Sequence, residues 1–254
     1  VAFPSLLTLF TVVASLEYAA RKRGGTGLLG WIRALPWSNP AVSSQLLAGI
    51  LFIFGGIGGI TNASYNVNLV VHNTAWIPGH FHLTVASAVT LSFFGISYWM
   101  IPYVTGKPLW KPKVASFVNW TWFIGMLIFS NAMHVLGLLG APRRVPIGEA
   151  PYVPDEWSGH LFRMSVGGAI LLVGVIAYVV VAARTAFQKK RFAEGEGVEF
   201  PIAESISDPQ DTPEWLDRFK PWLIGTIVLI ILAYGPQLFE QISNAAYNSP
   251  PIAP

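Results

Sequence analysis

Two histidines separated by one residue, His80 and His82 in Gly79-His80-Phe81-His82-Leu83, are the side chains in this sequence best placed to do chemistry. What they can do depends on the backbone beneath them. On a strand both rings face one side and could chelate one ion, whereas on a helix they point about 200° apart. The residues after them argue for a helix, because no Lys, Arg, Asp or Glu occurs from His80 to Gly106. Opposed imidazoles at one height suit two separate cofactors, each receiving one axial nitrogen. The alternative is a pair of hydrogen-bonded interior residues, although ionisable side chains inside a membrane are functional candidates by default. Zinc suits the pair less well, since a helical His-Glu-x-x-His site puts both nitrogens on one face.

The elements that must position this pair are long and apolar. The 254 residues are 53% hydrophobic and 11% charged, against roughly 25% charged in a soluble protein, and no charged side chain lies between Ala34 and Gly106. That run is too long for a soluble core, so the fold class is an all-α polytopic membrane protein. At about 20 apolar residues per span, six transmembrane helices are predicted: Val1 to Ala20, Ala41 to Ile60, His80 to Tyr103, Val114 to Gly140, His160 to Ala183 and Trp222 to Leu238. Basic residues alternate between the loops. Arg21, Lys22, Arg23 and Arg33 follow the first span, Lys107, Lys111 and Lys113 the third, and Arg184, Lys189, Lys190 and Arg191 the fifth, which assigns those loops to the cytoplasmic side. The histidine pair, His72, Trp76, Arg143 and Arg144 then share the outer side.

Other features are weaker. Ser5, Thr8 and Thr11 recur every three residues and form a hydroxyl stripe on the first span, although buried Ser and Thr commonly bond back to the preceding turn. A dibasic turn such as Arg143-Arg144 otherwise serves topology or lipid headgroups, and His134 and His160 read as structural and interfacial. The absence of cysteine removes disulfides, thiolate metal sites and cysteine nucleophiles. The net charge of +3 is small, and its loop clustering marks orientation rather than nucleic-acid binding. An apolar start at Val1, without the basic opening of a signal peptide, predicts a chain that begins mid-protein.

Three motifs carry a resemblance. The run His72-Asn73-Thr74-Ala75-Trp76-Ile77-Pro78-Gly79-His80-Phe81-His82 resembles the tenth helix of the haem-copper oxidase catalytic subunit, subunit I of cytochrome c oxidase. Ala141-Pro142-Arg143-Arg144-Val145 is similar to the Pro-Arg-Arg turn after its eleventh helix, and Gly55 to Ser64 to the end of its ninth. They stand in the family's order with spans between them, over residues 1 to about 190.

The polar composition after the fifth span reads as a cytoplasmic linker, residues 185–219, before an additional last span with an outer tail, residues 220–254, and the resemblance implies that residues 1–184 are haem-binding helices. It implies two haems, of a or b type: His80 would bind the iron of the high-spin haem and His82 that of the low-spin haem, with Phe81 between them. Arg143 and Arg144 would pair with haem propionates through their guanidinium forks, in a region shared with His72, Trp76 and Asn73. Asn73 replaces the aspartate that helps hold magnesium in the mitochondrial-like branch, and a neutral amide is a poorer ligand for a hard cation. Asn73, the Trp-x-Pro-Gly run and the last span resemble the B-type branch, in which the hydroxyls matching Ser5, Thr8 and Thr11 belong to a proton uptake path, with Glu17 a candidate mouth. That branch carries an acid where this chain has Asn68.

No complete catalytic set is implied here, because the copper ligands and the second axial ligand of the low-spin haem lie in the N-terminal half of subunit I. The implied function is part of a terminal oxidase that takes electrons from cytochrome c through a subunit II with a dicopper site, reduces oxygen to water at a haem-copper centre and pumps protons across a bacterial or archaeal cytoplasmic membrane. Nitric oxide reductase shares the opposed histidines, whereas the Pro-Arg-Arg turn and hydroxyl stripe favour the oxidase. A non-catalytic membrane haem-binding protein is the alternative of another class.

Overall fold

The computed structural model describes residues 2–144, 153–198, 213, 215 and 218–243, and every described element is helical. In order they are α1 (Ala2–Lys22), α2 (Gly30–Arg33), α3 (Pro40–Ala63), α4 (Tyr65–Val71), α5 (Trp76–Leu83), a π-helical turn (Thr84–Val89), α6 (Thr90–Thr105), α7 (Pro112–Leu138), α8 (Asp155–Phe187) and α9 (Phe219–Ser243). The chain forms two compact units, residues 1–199 and 200–254. Among the described residues five helices are long and apolar enough to cross a membrane: Pro40–Ala63, the continuous rod Trp76–Thr105, Pro112–Leu138, Asp155–Phe187 and Lys220–Glu240. The remaining predicted span is the 21-residue helix α1. In the predicted linker, α8 continues to Phe187; residues 199–212 of that linker, and the tail after Ser243, lie outside the described residues.

Local chemistry sets the helix ends. Asn39 caps α3 by accepting from the Ala41 amide at 3.0 Å, and Pro40 begins the helix where a missing N–H costs nothing. Gly106 ends α6 at φ 65°, a left-handed value that a glycine adopts without a side-chain penalty, and its N–H donates to the Pro102 carbonyl. Asp155 and Glu156 open α8 and Arg184 lies in its last turn, each sign matched to the helix dipole.

The core of the first unit lies between α3, the rod and α7, closed by one side of α8. Leu47 and Leu51 of α3 meet Leu83, Leu91, Phe94 and Tyr98 of the rod, with Val118 of α7 and Val181 of α8. A buried polar tie sits beside it: Asn119 Nδ2 donates to the Pro40 carbonyl at 2.8 Å and to Ser43 Oγ at 3.1 Å. Where α7 crosses α8, both helices are glycine. A Cβ on Gly167 would stand 2.8 Å from the Phe129 amide nitrogen, and one on Gly125 would stand 3.2 Å from the Gly167 carbonyl oxygen. Backbones approach this closely in membranes where small residues line the contact, because packing rather than water exclusion drives association.

The two ends are tied separately. At one end Lys107 Nζ donates to the Ala186 carbonyl at 2.6 Å, and the Phe192 amide donates to the Gly106 carbonyl at 3.2 Å, so the loops after α6 and α8 come together. At the other, Ala75 N–H donates to the Ala141 carbonyl at 2.8 Å and Trp157 Nε1 to the Leu139 carbonyl at 3.3 Å. Basic loops and the histidine-bearing loop thus occupy opposite ends, as the alternating charges require.

Gly167→Val should force α7 and α8 apart and cost about 1–3 kcal/mol, read as a lowered thermal midpoint of the detergent-purified protein. Gly168→Ala, whose methyl would meet the Phe129 ring at an ordinary 3.7 Å, should leave the midpoint unchanged or slightly raised. Equal loss in both would refute the close-contact account.

Candidate functional site

The site is built on α5, and what surrounds α5 is mostly absence of side chain. On one side α3 presents Gly55, Gly58 and Gly59. A Cβ on Gly58 would lie 3.2 Å from His80 Nδ1, and one on Gly59 would lie 3.2 Å from His80 Cε1. On the other side Gly79 leaves room for α7, where its Cβ would stand 3.0 Å from His134 Nδ1, and Gly137 of α7 lies where a Cβ would overlap the Trp76 backbone. Glycines on three helices therefore seat α5 between α3 and α7.

The two rings project to different neighbours. His80 faces α3 and lines an apolar cleft of about 410 Å³ walled by Leu6 and Leu9 of α1 and by Phe52, Ile57 and Ile60 of α3. Its Nδ1 is buried beside the Gly55 backbone and completes no hydrogen bond of good geometry. The buried Trp76 ring stacks over it at 6.3 Å between centroids and 18° between planes. His82 packs instead against Phe129 of α7, with centroids 5.0 Å apart. Its Nδ1 lies 2.6 Å from the Pro78 carbonyl. A carbonyl only accepts, so Nδ1 carries the proton and Nε2 is left with its lone pair. That arrangement, one imidazole N–H on a backbone carbonyl and the other nitrogen bare, is how ligand histidines are commonly oriented. Phe81, between them, is half exposed.

These surroundings suit a flat apolar group on each side. A glycine cradle and an apolar cleft of ordinary ligand size fit a porphyrin beside His80. The bare Nε2 of His82 fits a second axial bond. Among the described residues no three His, Cys, Asp or Glu side chains come together, so a single imidazole suits an ion that already has other ligands from its cofactor.

The π turn comes directly after this pair. Wider turns free backbone carbonyls and recur near functional sites. Here Trp122 Nε1 of α7 donates to the Ala86 carbonyl at 3.1 Å, and the Ser87 hydroxyl donates to the His82 carbonyl. Thr84 Oγ1 donates to the His80 carbonyl at 3.3 Å, so both ligand candidates have their carbonyls bonded to hydroxyls of the turn.

The other candidates fall into two groups. His72 and Asn73 lie in the loop before α5, and the Pro142-Arg143-Arg144 turn pairs with that loop through a bridge between Thr74 and Pro142. Arg143 Nη2 donates to Asn73 Oδ1 at 2.9 Å. His72 is exposed and Arg144 has φ 63°. Asn68 bonds to Asn62 through its side-chain amide. Far from this loop, Thr8 lines a second cleft of about 770 Å³ between α1, α3 and the rod, but its hydroxyl donates to the Pro4 carbonyl at 2.9 Å, as Thr11 does to Leu7 and Ser15 to Thr11. The Ser5 side chain lies outside the described residues. Glu17 pairs with Arg21 one turn on.

Four residues that shape the site were given no part in it from sequence. Gly58 and Gly59 make the cradle, and only their Gly-Gly-x-Gly-Gly spacing signals it. Ser130 Oγ of α7 donates to the Gly79 carbonyl at 2.7 Å, locking the start of the histidine helix. His134, read as structural, donates from Nδ1 to the Ser130 carbonyl at 2.7 Å and meets Trp76 edge-on at 4.9 Å.

Comparison with known proteins agrees with this geometry. The family model described as Cytochrome C and Quinol oxidase polypeptide I matches residues 1–188. Cytochrome c oxidase subunit 1 of Thermus thermophilus is 45% identical over 248 residues, covering 96% of this chain and 44% of the relative. Cytochrome c oxidase polypeptide 1 of Halobacterium salinarum is 35% identical over 121 residues, 48% of this chain and 19% of the relative. A solved heme-copper terminal oxidase dimer superposes with a TM-score of 0.72 at 38% identity, covering 94% of this chain and 43% of that one. The chain spans less than half the length of the relatives that it matches over nearly its whole extent. Its sequence, helices and histidine rod together establish that the chain belongs to the cytochrome c and quinol oxidase polypeptide I family, the subunit I of haem-copper oxidases.

Proposed function

We propose that this chain supplies the haem-facing second half of the catalytic subunit of a B-type haem-copper oxygen reductase. The observation that carries the reading is the opposed setting of His80 and His82, one ring against the glycines of α3 and the other against Phe129 of α7. His80 would hold the high-spin haem iron and His82, through its bare Nε2, the low-spin haem iron, with Phe81 between the two. When bound, the haems and a copper ion held by the N-terminal half supply electron transfer and oxygen reduction.

The remaining residues hold and exclude. The glycines at Gly58 and Gly59 leave room for the His80 ring, and Trp76, the first residue of α5, stacks over it. Pro78 fixes the tautomer of His82 through its carbonyl. Arg143 and Arg144, in the loop cluster that also carries His72, would hold the carboxylates of the haems, since planar guanidinium matches carboxylate geometry. Thr8 and Thr11, with Ser5, mark the cytoplasmic proton path. The Thr8 and Thr11 hydroxyls donate backward to carbonyls, leaving oxygen lone pairs able to accept from water, and Thr8 lines the cleft between α1, α3 and the rod.

Electrons reach this half from cytochrome c by way of a subunit II with a dicopper site, and the protein resides in a bacterial or archaeal cytoplasmic membrane. The relatives from Thermus thermophilus and Halobacterium salinarum support that setting. Asn73, the Trp-x-Pro-Gly run and α9 support the B-type assignment.

In the assembled complex, His82→Ala should abolish the low-spin band of the reduced-minus-oxidised spectrum, whereas His80→Ala should abolish carbon monoxide binding to the high-spin haem. Spectra unchanged in both variants would refute the ligand assignments. Thr8→Val and Thr11→Val should slow oxygen consumption and proton uptake several-fold with both haem spectra intact; full turnover in the double variant would remove the hydroxyl stripe from the path.

A further inference from the structure

The geometry points to Asn73 as the positioning residue for Arg143, an inference that rests on reading Arg143 as the partner of a haem carboxylate. The two residues come from loops far apart in sequence, and two backbone hydrogen bonds bring those loops together. The Ala75 amide donates to the Ala141 carbonyl at 2.8 Å and the Arg143 amide donates to the Asn73 carbonyl at 3.0 Å, which together make the antiparallel bridge between Thr74 and Pro142. These contacts fix where the Arg143 main chain sits. They leave a long side chain, rich in rotamers, free to choose its direction.

The side-chain contact makes that choice. Arg143 Nη2 donates to Asn73 Oδ1 at 2.9 Å, so one residue holds Arg143 by main chain and side chain together. Asparagine suits both tasks. Position 73 has φ 61°, a left-handed value that Asn adopts more readily than most non-glycine residues. Its amide oxygen accepts a hydrogen bond without bringing charge, so the guanidinium keeps its full positive charge. The contact engages Nη2, and the guanidinium fork has further N–H donors on its other nitrogens. A carboxylate at position 73 would instead neutralise the arginine and compete with an incoming carboxylate.

The test is a redox titration of the complete complex, following each haem by absorbance. Arg143→Ala should lower the midpoint potential of the haem it serves, because removing a nearby positive charge favours the ferric state. Asn73→Gly keeps the left-handed backbone and deletes only the acceptor, so it should lower the same potential by part of that shift. The double variant should match Arg143→Ala alone, since residues acting through one another are not additive. A shift with Arg143→Ala and none with Asn73→Gly, or additive shifts in the double variant, would overturn the positioning role and leave Arg143 beside the haem. No shift in any variant would overturn the carboxylate reading as well.

Discussion

A helix that offers a ring to each of two sides must be approached closely from both, and that is the constraint on which the rest of this structure depends. Two residues of spacing turn the chain about 200°, so neither His80 nor His82 can borrow the other's surroundings. Ordinary side chains on the neighbouring helices would fill the space that the rings require. The answer is glycine at the contact points: Gly58 and Gly59 beneath His80, Gly79 against His134, and Gly137 beneath Trp76. Close backbones then allow specific polar contacts, such as Ser130 on the Gly79 carbonyl and Pro78 on His82, to fix ring direction.

The same logic explains how stability is distributed. The apolar core begins at Leu83, next to His82, and runs through Leu47, Leu51, Leu91, Phe94 and Val118 toward the basic-loop end. The rings therefore sit at one end of that core, among clefts and glycines. The α7–α8 crossing at Gly125 and Gly167 adds a second rigid contact. Outer-loop pairing between residues 73–75 and 141–143 closes the remaining side. Positioning thus gives way to filling along the length of one bundle.

Much of this was legible because a bilayer imposes simple rules. Hydropathy located five of the six predicted spans as helices apolar enough to cross a membrane, and basic residues separated the two ends. The opposed settings of His80 and His82 followed from helical geometry alone. Short-range features without a compositional signal stayed hidden. Tyr65–Val71, in an uncharged loop, is helix α4, and Thr84–Val89 looks like any apolar helix until Trp122 is seen on the Ala86 carbonyl. The hydroxyl stripe was visible, yet its bonding to preceding carbonyls depends on rotamers that residue types do not specify. The hold of Asn73 on Arg143 was hidden for another reason, since it joins residues separated by 70 positions.

The π turn has a consequence for how such a chain can change over time. A π turn carries one residue more than an α turn, so losing one residue between His82 and Leu91 would let the turn close to ordinary α-helix, and the Ala86 carbonyl that Trp122 uses would return to the helix's own ladder.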